Sequence, residues 1–252
     1  MRPLVAVRRA AAFDPGFLSR SPLLWPLARA AKALARFDDF PPIEALVDVF
    51  ECEPGVRFVP AAPRRRRGAA VDTRLLYDAR IAIDREVPTR QRCWHDFMNA
   101  LVWGTFPSAK SALHARQHRA ITERLAPDAR KLPPARTREL DALALLDEGG
   151  VVVLSLDPPR KAGSVDGATI VFGHAICESL VLGVAPAVVA GIGITVEDRP
   201  RTADDLVRLV DRALAAIIDD DTRLRTPRDL KRLPIDAPAR GLESARPVSD
   251  PE

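Results

Sequence analysis

The sequence has few of the residues expected in a secreted, disulfide-bonded protein. Only 3 of its 252 residues are cysteine, which is too few for a disulfide framework or a four-cysteine zinc site, and the odd number disfavours secretion. The apolar run that begins after Met1 stops at Arg8, so the continuous apolar region of a signal peptide is missing. These absences predict a cytoplasmic protein.

Aromatic residues and uncompensated charge are also scarce. Aromatic residues make up 5% of the chain, and its net charge is only +4. Proteins that bind nucleic acid tightly usually combine a strongly basic surface with aromatic side chains that stack on bases. The one dense basic run, Arg64–Arg67, lies between Pro63 and Gly68, which predicts an exposed loop. We therefore expect weak, non-specific binding of nucleic acid at most.

Neither of the two most apolar segments predicts a membrane span. The longest uncharged segment, Ser179–Val196, is interrupted by Gly183 and Pro186, which favours a helix end followed by a buried strand over Val188–Val196. Ser21–Phe37 carries apolar residues at helical spacing, which predicts a short amphipathic helix packed against its own domain.

The composition is that of a folded globular protein, because 47% of the residues are hydrophobic and 29% are charged. This balance excludes wholesale disorder and a protein with many membrane spans. Clusters of Pro, Gly and charged residues divide the chain into an N-terminal segment, 1–40, with the amphipathic helix, a single globular domain, 41–234, and a Pro-rich tail, 235–252.

The pattern of apolar residues predicts an α+β fold, mostly helical, with a small antiparallel sheet. Thr202 precedes an amphipathic helix from about Ala203 to Ile218, with acidic residues in its first turn. Two apolar runs within Leu140–Leu156 flank the acidic and glycine residues Asp147–Gly150, which is typical of a β-hairpin.

A polar cluster is expected on the first of two helices that meet at Pro107. Helical spacing places His95, Asp96 and Asn99 on one face of the first helix. On the second helix, His114 and His118 are four residues apart but lack the acidic neighbour of a metalloprotease helix. We predict that these two histidines are solvated.

The fourth histidine, His174, precedes Glu178 by one helical turn. Such a pair suits a divalent metal ion or an acid–base couple. Taken alone, the pair is more typical of an imidazole that hydrogen-bonds its own helix neighbour beside an apolar core.

Several strings in the chain resemble the signature of a proteobacterial family known as domain of unknown function 3025. They are Val87–Arg90, Trp94–Trp103, Phe106–Pro107 with Lys110, Asp141–Leu143, Asp147–Gly150, and Phe172–Ala175 with Glu178. The resemblance covers about Pro41 to Pro234, and the family name implies no activity or cofactor.

The resemblance also implies a shared set of polar positions: His95, Asp96, Asn99, Asp141, Asp147, Glu148, His174 and Glu178. The chain departs from the family pattern at Ala144 and His114, where a hydroxyl residue and Asn are expected.

The leading functional hypothesis is a metal-dependent hydrolase that acts on a small molecule. In this hypothesis His95, His174 and Asp96 bind a divalent zinc, manganese or iron ion, and Asp141 and Glu178 are catalytic. The other pocket residues are Asn99, Asp147 and Glu148.

The alternative is a non-enzymatic binding or scaffold protein in which the same polar cluster only stabilises the fold. The distances among His95, Asp141, His174 and Glu178 discriminate between the two. Convergence in a cleft favours the enzyme, and separation favours the scaffold.

Overall fold

The computed structural model of the chain describes residues 12–53, 55–62, 74, 76–125, 135–156, 169–184, 188–196, 200 and 202–234. The predicted loop Arg64–Arg67 and the predicted tail 235–252 lie outside the described residues. The predictions made for those two segments therefore stay predictions.

Helices make up most of the described structure. The α-helices are α1 (Ala28–Ala33), α2 (Tyr77–Asp84), α3 (Trp94–Thr105), α4 (Pro107–Thr122), α5 (Arg138–Gly149), α6 (His174–Val181) and α7 (Ala203–Asp219). Short 3₁₀ helices cover Phe17–Arg20, Pro22–Leu27, Ile43–Val49 and Pro227–Asp229.

The strands form two small sheets. They are β1 (Arg57–Pro60), β2 (Glu86–Thr89), β3 (Gly150–Leu156), β4 (Thr169–Val171), β5 (Val188–Val196) and β6 (Lys231–Pro234). β1 and β2 pair in parallel, and the second sheet has the order β4-β3-β5-β6. In it β3 and β5 are parallel, whereas both edge strands are antiparallel to their neighbours. The predicted α+β class is confirmed, with mixed rather than purely antiparallel strands.

The predicted hairpin over Leu140–Leu156 is wrong, because its first arm belongs to helix α5. The Thr137 side chain caps this helix by accepting a hydrogen bond from the Leu140 amide. Ala and Leu are strong helix formers, and acidic residues in the first turn favour the helix further. α5 passes directly into β3, so a helix–strand junction stands where the turn was expected.

Helix α3 is the centre of the core. Every residue from Phe97 to Thr105 is buried. Gly104 allows the close contact that this requires, because a Cβ atom there would lie 2.5 Å from the Val49 carbonyl oxygen. α3 therefore contacts helices on several sides, and its polar side chains face other parts of the protein.

The N-terminal segment packs on the same core, as predicted for Ser21–Phe37. Leu24 and Leu27 are fully buried there. The segment is a 3₁₀ helix followed by the short α1, because Pro22 and Pro26 do not suit one continuous α-helix. No helix in the described part of the chain is long and apolar enough to cross a membrane.

Helices α3 and α4 meet at Pro107, as predicted, and α7 supplies the cap that α4 lacks. Phe106, at the start of α4, makes no side-chain capping bond. Asp211 of α7 accepts hydrogen bonds from the Ser108 and Ala109 amides at 3.1 and 2.8 Å. This contact fixes the first turn of α4 against α7. Helix α7 itself confirms the predicted helix, including its Thr202 cap.

We expect Asp211→Ala to lower the free energy of unfolding by about 1–2 kcal/mol, the usual effect of losing a helix cap. Chemical denaturation of the full chain measures this value. Asp219→Ala is the matched control, because Asp219 is exposed on the last turn of the same helix. Equal unfolding free energies for the two variants would contradict a capping role for Asp211.

Candidate metal centre

Helices α3 and α6 bring two distant histidines into contact. The Nε2 atoms of His95 and His174 are 3.0 Å apart, and the ring centroids are separated by 4.5 Å. His174 is buried, and His95 has an exposed side-chain fraction of 25%. The predicted approach of these two histidines is confirmed.

A carboxylate faces the other nitrogen of each ring. Glu178 Oε2 lies 3.2 Å from His95 Nδ1, within hydrogen-bond distance. Asp147 Oδ1 lies 3.6 Å from His174 Nδ1, which is ion-pair distance but too long for a hydrogen bond. An ionised carboxylate only accepts hydrogen bonds, so both contacts favour a proton on Nδ1 and a lone pair on Nε2.

Glu148 at the end of α5 adds a third oxygen to the two nitrogens. Its Oε2 lies 3.6 Å from His174 Nε2 and 4.0 Å from His95 Nε2. One ligand atom from each of these residues falls within a group whose members are all within 4.8 Å of one another. We call His95, Glu148 and His174 the His/Glu triad. Two imidazoles and one carboxylate are a ligand set that suits divalent metal ions.

Lys110 of α4 supports the triad from inside the protein. Its side chain is fully buried, and Nζ donates to Asp147 Oδ1 at 2.5 Å. The ammonium also lies 5.6 Å from the centre of the Trp103 ring. Burial alone would raise the pKa of Asp147, but the charge of Lys110, with a smaller contribution from the neighbouring His174, holds that pKa well below its usual range. Asp147 is therefore ionised where it faces His174.

The carboxylates around the triad favour positive charge. Burial alone would lower the pKa of His95, but Glu178, Glu148 and Asp96 together outweigh burial and raise it. A proton or a metal cation at this point is stabilised by the same groups.

Gly173 lets the start of α6 press against the end of α5. A Cβ atom on Gly173 would lie 2.5 Å from the Gly150 amide nitrogen and 2.6 Å from the Glu148 carbonyl oxygen. Its own amide donates to the Gly150 carbonyl at 2.8 Å. This backbone contact places His174 beside Asp147 and Glu148.

The structure does not bring all the predicted site residues together. Asp96, predicted as a metal ligand, accepts bonds from the backbone amide and the guanidinium of Arg90, and Glu148 stands in its place in the triad. Asp141, predicted as catalytic, is exposed in the first turn of α5 and is not among the described residues that line the adjacent cavity. Glu178, also predicted as catalytic, contacts His95 from behind and is 1% exposed.

A cavity of about 890 Å³ adjoins the triad. All three residues of the His/Glu triad line this cavity. Asp96, Asn99 and Asp147 line it as well. The part of its lining that the structure describes contains no serine, threonine or cysteine. A serine, threonine or cysteine nucleophile is therefore missing from that lining, whose side-chain hydroxyl is that of Tyr77.

The wall of the same cavity contains another buried histidine, His114, which the sequence analysis did not predict as a site residue. His114, predicted to be solvated, is only 1% exposed, so that prediction is wrong; His118 is half-buried. His114 Nδ1 lies 3.0 Å from Asp78 Oδ1, and its ring stacks on Trp103 at a centroid distance of 5.6 Å. Burial, helped by the charge of Lys110, lowers the pKa of His114.

The comparisons with known proteins concern the family only. Residues 57–166 match the family model described as "Protein of unknown function (DUF3025)". The matched segment includes His95 and Glu148 and ends before His174. No curated protein and no solved structure matches the chain. The resemblance seen in the sequence is confirmed over residues 57–166, which match the DUF3025 family model.

Proposed function

We propose that the His/Glu triad binds one divalent metal ion and that the protein is a metal-dependent hydrolase. The observation that carries the proposal is the convergence of three electron-pair donors, His95 Nε2, His174 Nε2 and the Glu148 carboxylate. With the protons of both rings on Nδ1, two lone pairs would face each other at 3.0 Å and would repel unless a cation or a shared proton lay between them. A metal ion would satisfy all three donors at once.

The separation of the two nitrogens favours some ions over others. Metal–imidazole bonds are about 2.1 Å long, so nitrogens 3.0 Å apart subtend an angle of about 90° at the metal. That angle is nearer to octahedral than to tetrahedral coordination. It favours Mn²⁺ or Fe²⁺ over a four-coordinate zinc ion.

The surrounding residues hold the ligands in place. Glu178 orients His95, and Asp147, itself held by Lys110, orients His174. Such contacts orient the imidazole ring and determine which ring nitrogen can bind a metal ion. Their loss commonly reduces metal affinity about 10- to 100-fold.

Hydrolysis is the reaction that the cavity suits. A divalent ion held by His95, Glu148 and His174 would supply an acidified water as the nucleophile for the hydrolysis of an ester, amide or phosphoester. A water nucleophile agrees with the lack of serine, threonine and cysteine in the described part of the lining. We assign no role to Asp141, because it is exposed and away from the lining residues that the structure describes.

The alternative function is a scaffold in which a proton takes the place of the metal ion. The observation that favours it is the set of buried contacts by which His95, Glu178, Lys110 and Asp147 join four helices. A protonated imidazole would also relieve the repulsion between the two histidines. Metal analysis separates the two functions.

We expect the purified chain to bind one equivalent of Mn²⁺ or Fe²⁺ after reconstitution, measured by elemental analysis and calorimetry. His95→Gln and His174→Gln each remove a ligand, so their metal affinity should fall at least about 100-fold. His118→Gln is the matched control, because His118 lies outside the triad. Well under one equivalent of metal in the wild-type chain would favour the scaffold.

A second experiment tests whether the ion pair between Lys110 and Asp147 supports metal binding. The double variant Lys110→Met with Asp147→Asn leaves no unpaired buried charge, so we expect its metal-free thermal midpoint to stay within a few degrees of the wild type. Its metal affinity should fall about 10- to 100-fold. The control pair is Arg119→Met with Asp221→Asn, which removes an exposed ion pair from the surface. Equal metal affinity in both double variants would show that Asp147 does not orient His174.

Hydrolase activity is tested with p-nitrophenyl acetate and bis(p-nitrophenyl) phosphate as chromogenic probes. We expect the metal-loaded chain to hydrolyse at least one probe, and His95→Gln and Glu148→Gln to reduce the rate about 100-fold or more. If the chain is fully loaded with metal but hydrolyses neither probe, the protein binds metal and the hydrolase proposal is contradicted. Asp141→Asn should retain the wild-type rate.

A further inference from the structure

Three residues in the cavity wall each carry a buried polar atom that has no hydrogen-bond partner among the described residues. The atoms are Asn99 Oδ1, His114 Nε2 and Gln117 Oε1. The side chains are 7%, 1% and 8% exposed, so water reaches them poorly. An unpaired buried polar group is costly, and groups of this kind mark places where a ligand completes the hydrogen bonding.

All three atoms are acceptors. Asn99 uses its amide nitrogen to donate to the Tyr77 hydroxyl at 3.1 Å, which leaves the carbonyl oxygen. Gln117 Oε1 is likewise a carbonyl oxygen. His114 presents Nδ1 to the Asp78 carboxylate, so the proton of the neutral ring is on Nδ1 and Nε2 carries a lone pair. The wall therefore calls for hydrogen-bond donors.

Apart from Arg124 and Arg136, which also line the cavity and make no ion pair among the described residues, the ionic groups near this wall are paired with one another. Arg90 binds Asp96, Lys110 binds Asp147, and Asp78 binds His114. An anionic ligand would meet carbonyl oxygens and an imidazole lone pair here, which repel it. Leu76, Ile121 and Leu140 supply apolar surface in the same lining. A neutral molecule with an apolar body and donor groups fits best.

We infer that Asn99, His114 and Gln117 form a substrate subsite that takes the hydroxyl or N–H groups of a neutral, partly apolar molecule. The inference rests on the proposed function only in treating this molecule as the substrate. The subsite uses no triad residue, so it binds its ligand with or without metal. Asn99 lies one helical turn after His95 on α3, which places the subsite next to the metal ligands.

The experiment compares matched probes that differ only in hydrogen-bond donors. Resorcinol is paired with 1,3-dimethoxybenzene, and aniline with N,N-dimethylaniline, and their affinities for chelator-treated full-length chain are measured by NMR titration. We expect each donor probe to bind about tenfold or more tightly than its methylated partner. The Nε2 signal of His114 should move on binding of the donor probes.

Two variants test whether the preference for donor probes arises at the subsite. His114→Phe keeps an aromatic ring beside Trp103 but removes Nε2, and Gln117→Met keeps the length of the side chain but removes the oxygen. Each should reduce the preference for donors toward equality while leaving metal occupancy unchanged. Because one variant alone could be misfolded, agreement between the two is required. His118→Phe is the matched control, since His118 is on the same helix, also has an unpartnered Nδ1 among the described atoms, and is not a described lining residue.

Two results would overturn the inference. One is the absence of any donor preference in the wild-type chain, whether both members of each pair bind alike or neither binds, which would mean that the acceptors only hold water. The other is a preference that persists in both subsite variants. Loss of metal binding in the earlier experiment, with the donor preference intact, would refute the hydrolase and leave the subsite standing.

Discussion

The buried ion pair between Lys110 and Asp147 is the contact on which the rest of the site depends. An ammonium group without access to water is stable only beside an opposite charge, and this pair joins α4 to the end of α5. Asp211 fixes the start of α4 against α7 by binding the amides of the two residues before Lys110. Asp147 in turn faces His174, so the position of a ring on α6 depends on charges held by two other helices.

At three histidines a carboxylate faces the Nδ1 atom of the ring, but the surroundings of the Nε2 atom differ. Glu178, Asp147 and Asp78 each face an Nδ1 atom, at 3.2, 3.6 and 3.0 Å, which favours a proton on Nδ1 and a lone pair on Nε2 of the neutral ring. For His95 and His174 the two Nε2 atoms converge beside Glu148, a group of ligand atoms that could hold a metal ion. For His114 the lone pair stands alone in a cavity wall, where a donor is required. The cavity thus has one end suited to positive charge and another suited to neutral polar groups.

The sequence predicted the features that depend on local spacing. Thr202 and the residues after it indicate helix α7, Pro107 marks the break between α3 and α4, and Val188–Val196 is the observed strand β5. The sequence-based predictions were wrong where tertiary contacts determine the partner or the burial of a side chain. Asp96 is next to His95 in sequence, but Arg90 binds it. The arginines near His114 suggested solvent, yet Arg116 is itself buried and donates to the backbone carbonyls of Ile218 and Arg223. The helix in place of the hairpin shows that glycines after acidic residues also suit a helix–strand junction.

The contact of Gly173 with the backbone of Glu148 and Gly150 ties the position of helix α6 to the sheet. The Gly150 carbonyl accepts hydrogen bonds from the Phe172 and Gly173 amides, and Gly150 also begins the strand β3, which pairs with β5. A hinge motion of α6 would break these bonds and disturb the central strands of the sheet. The His174 ring is therefore held in place by the backbone around Gly173, whereas Glu148, at 51% exposure, has the most exposed side chain of the triad.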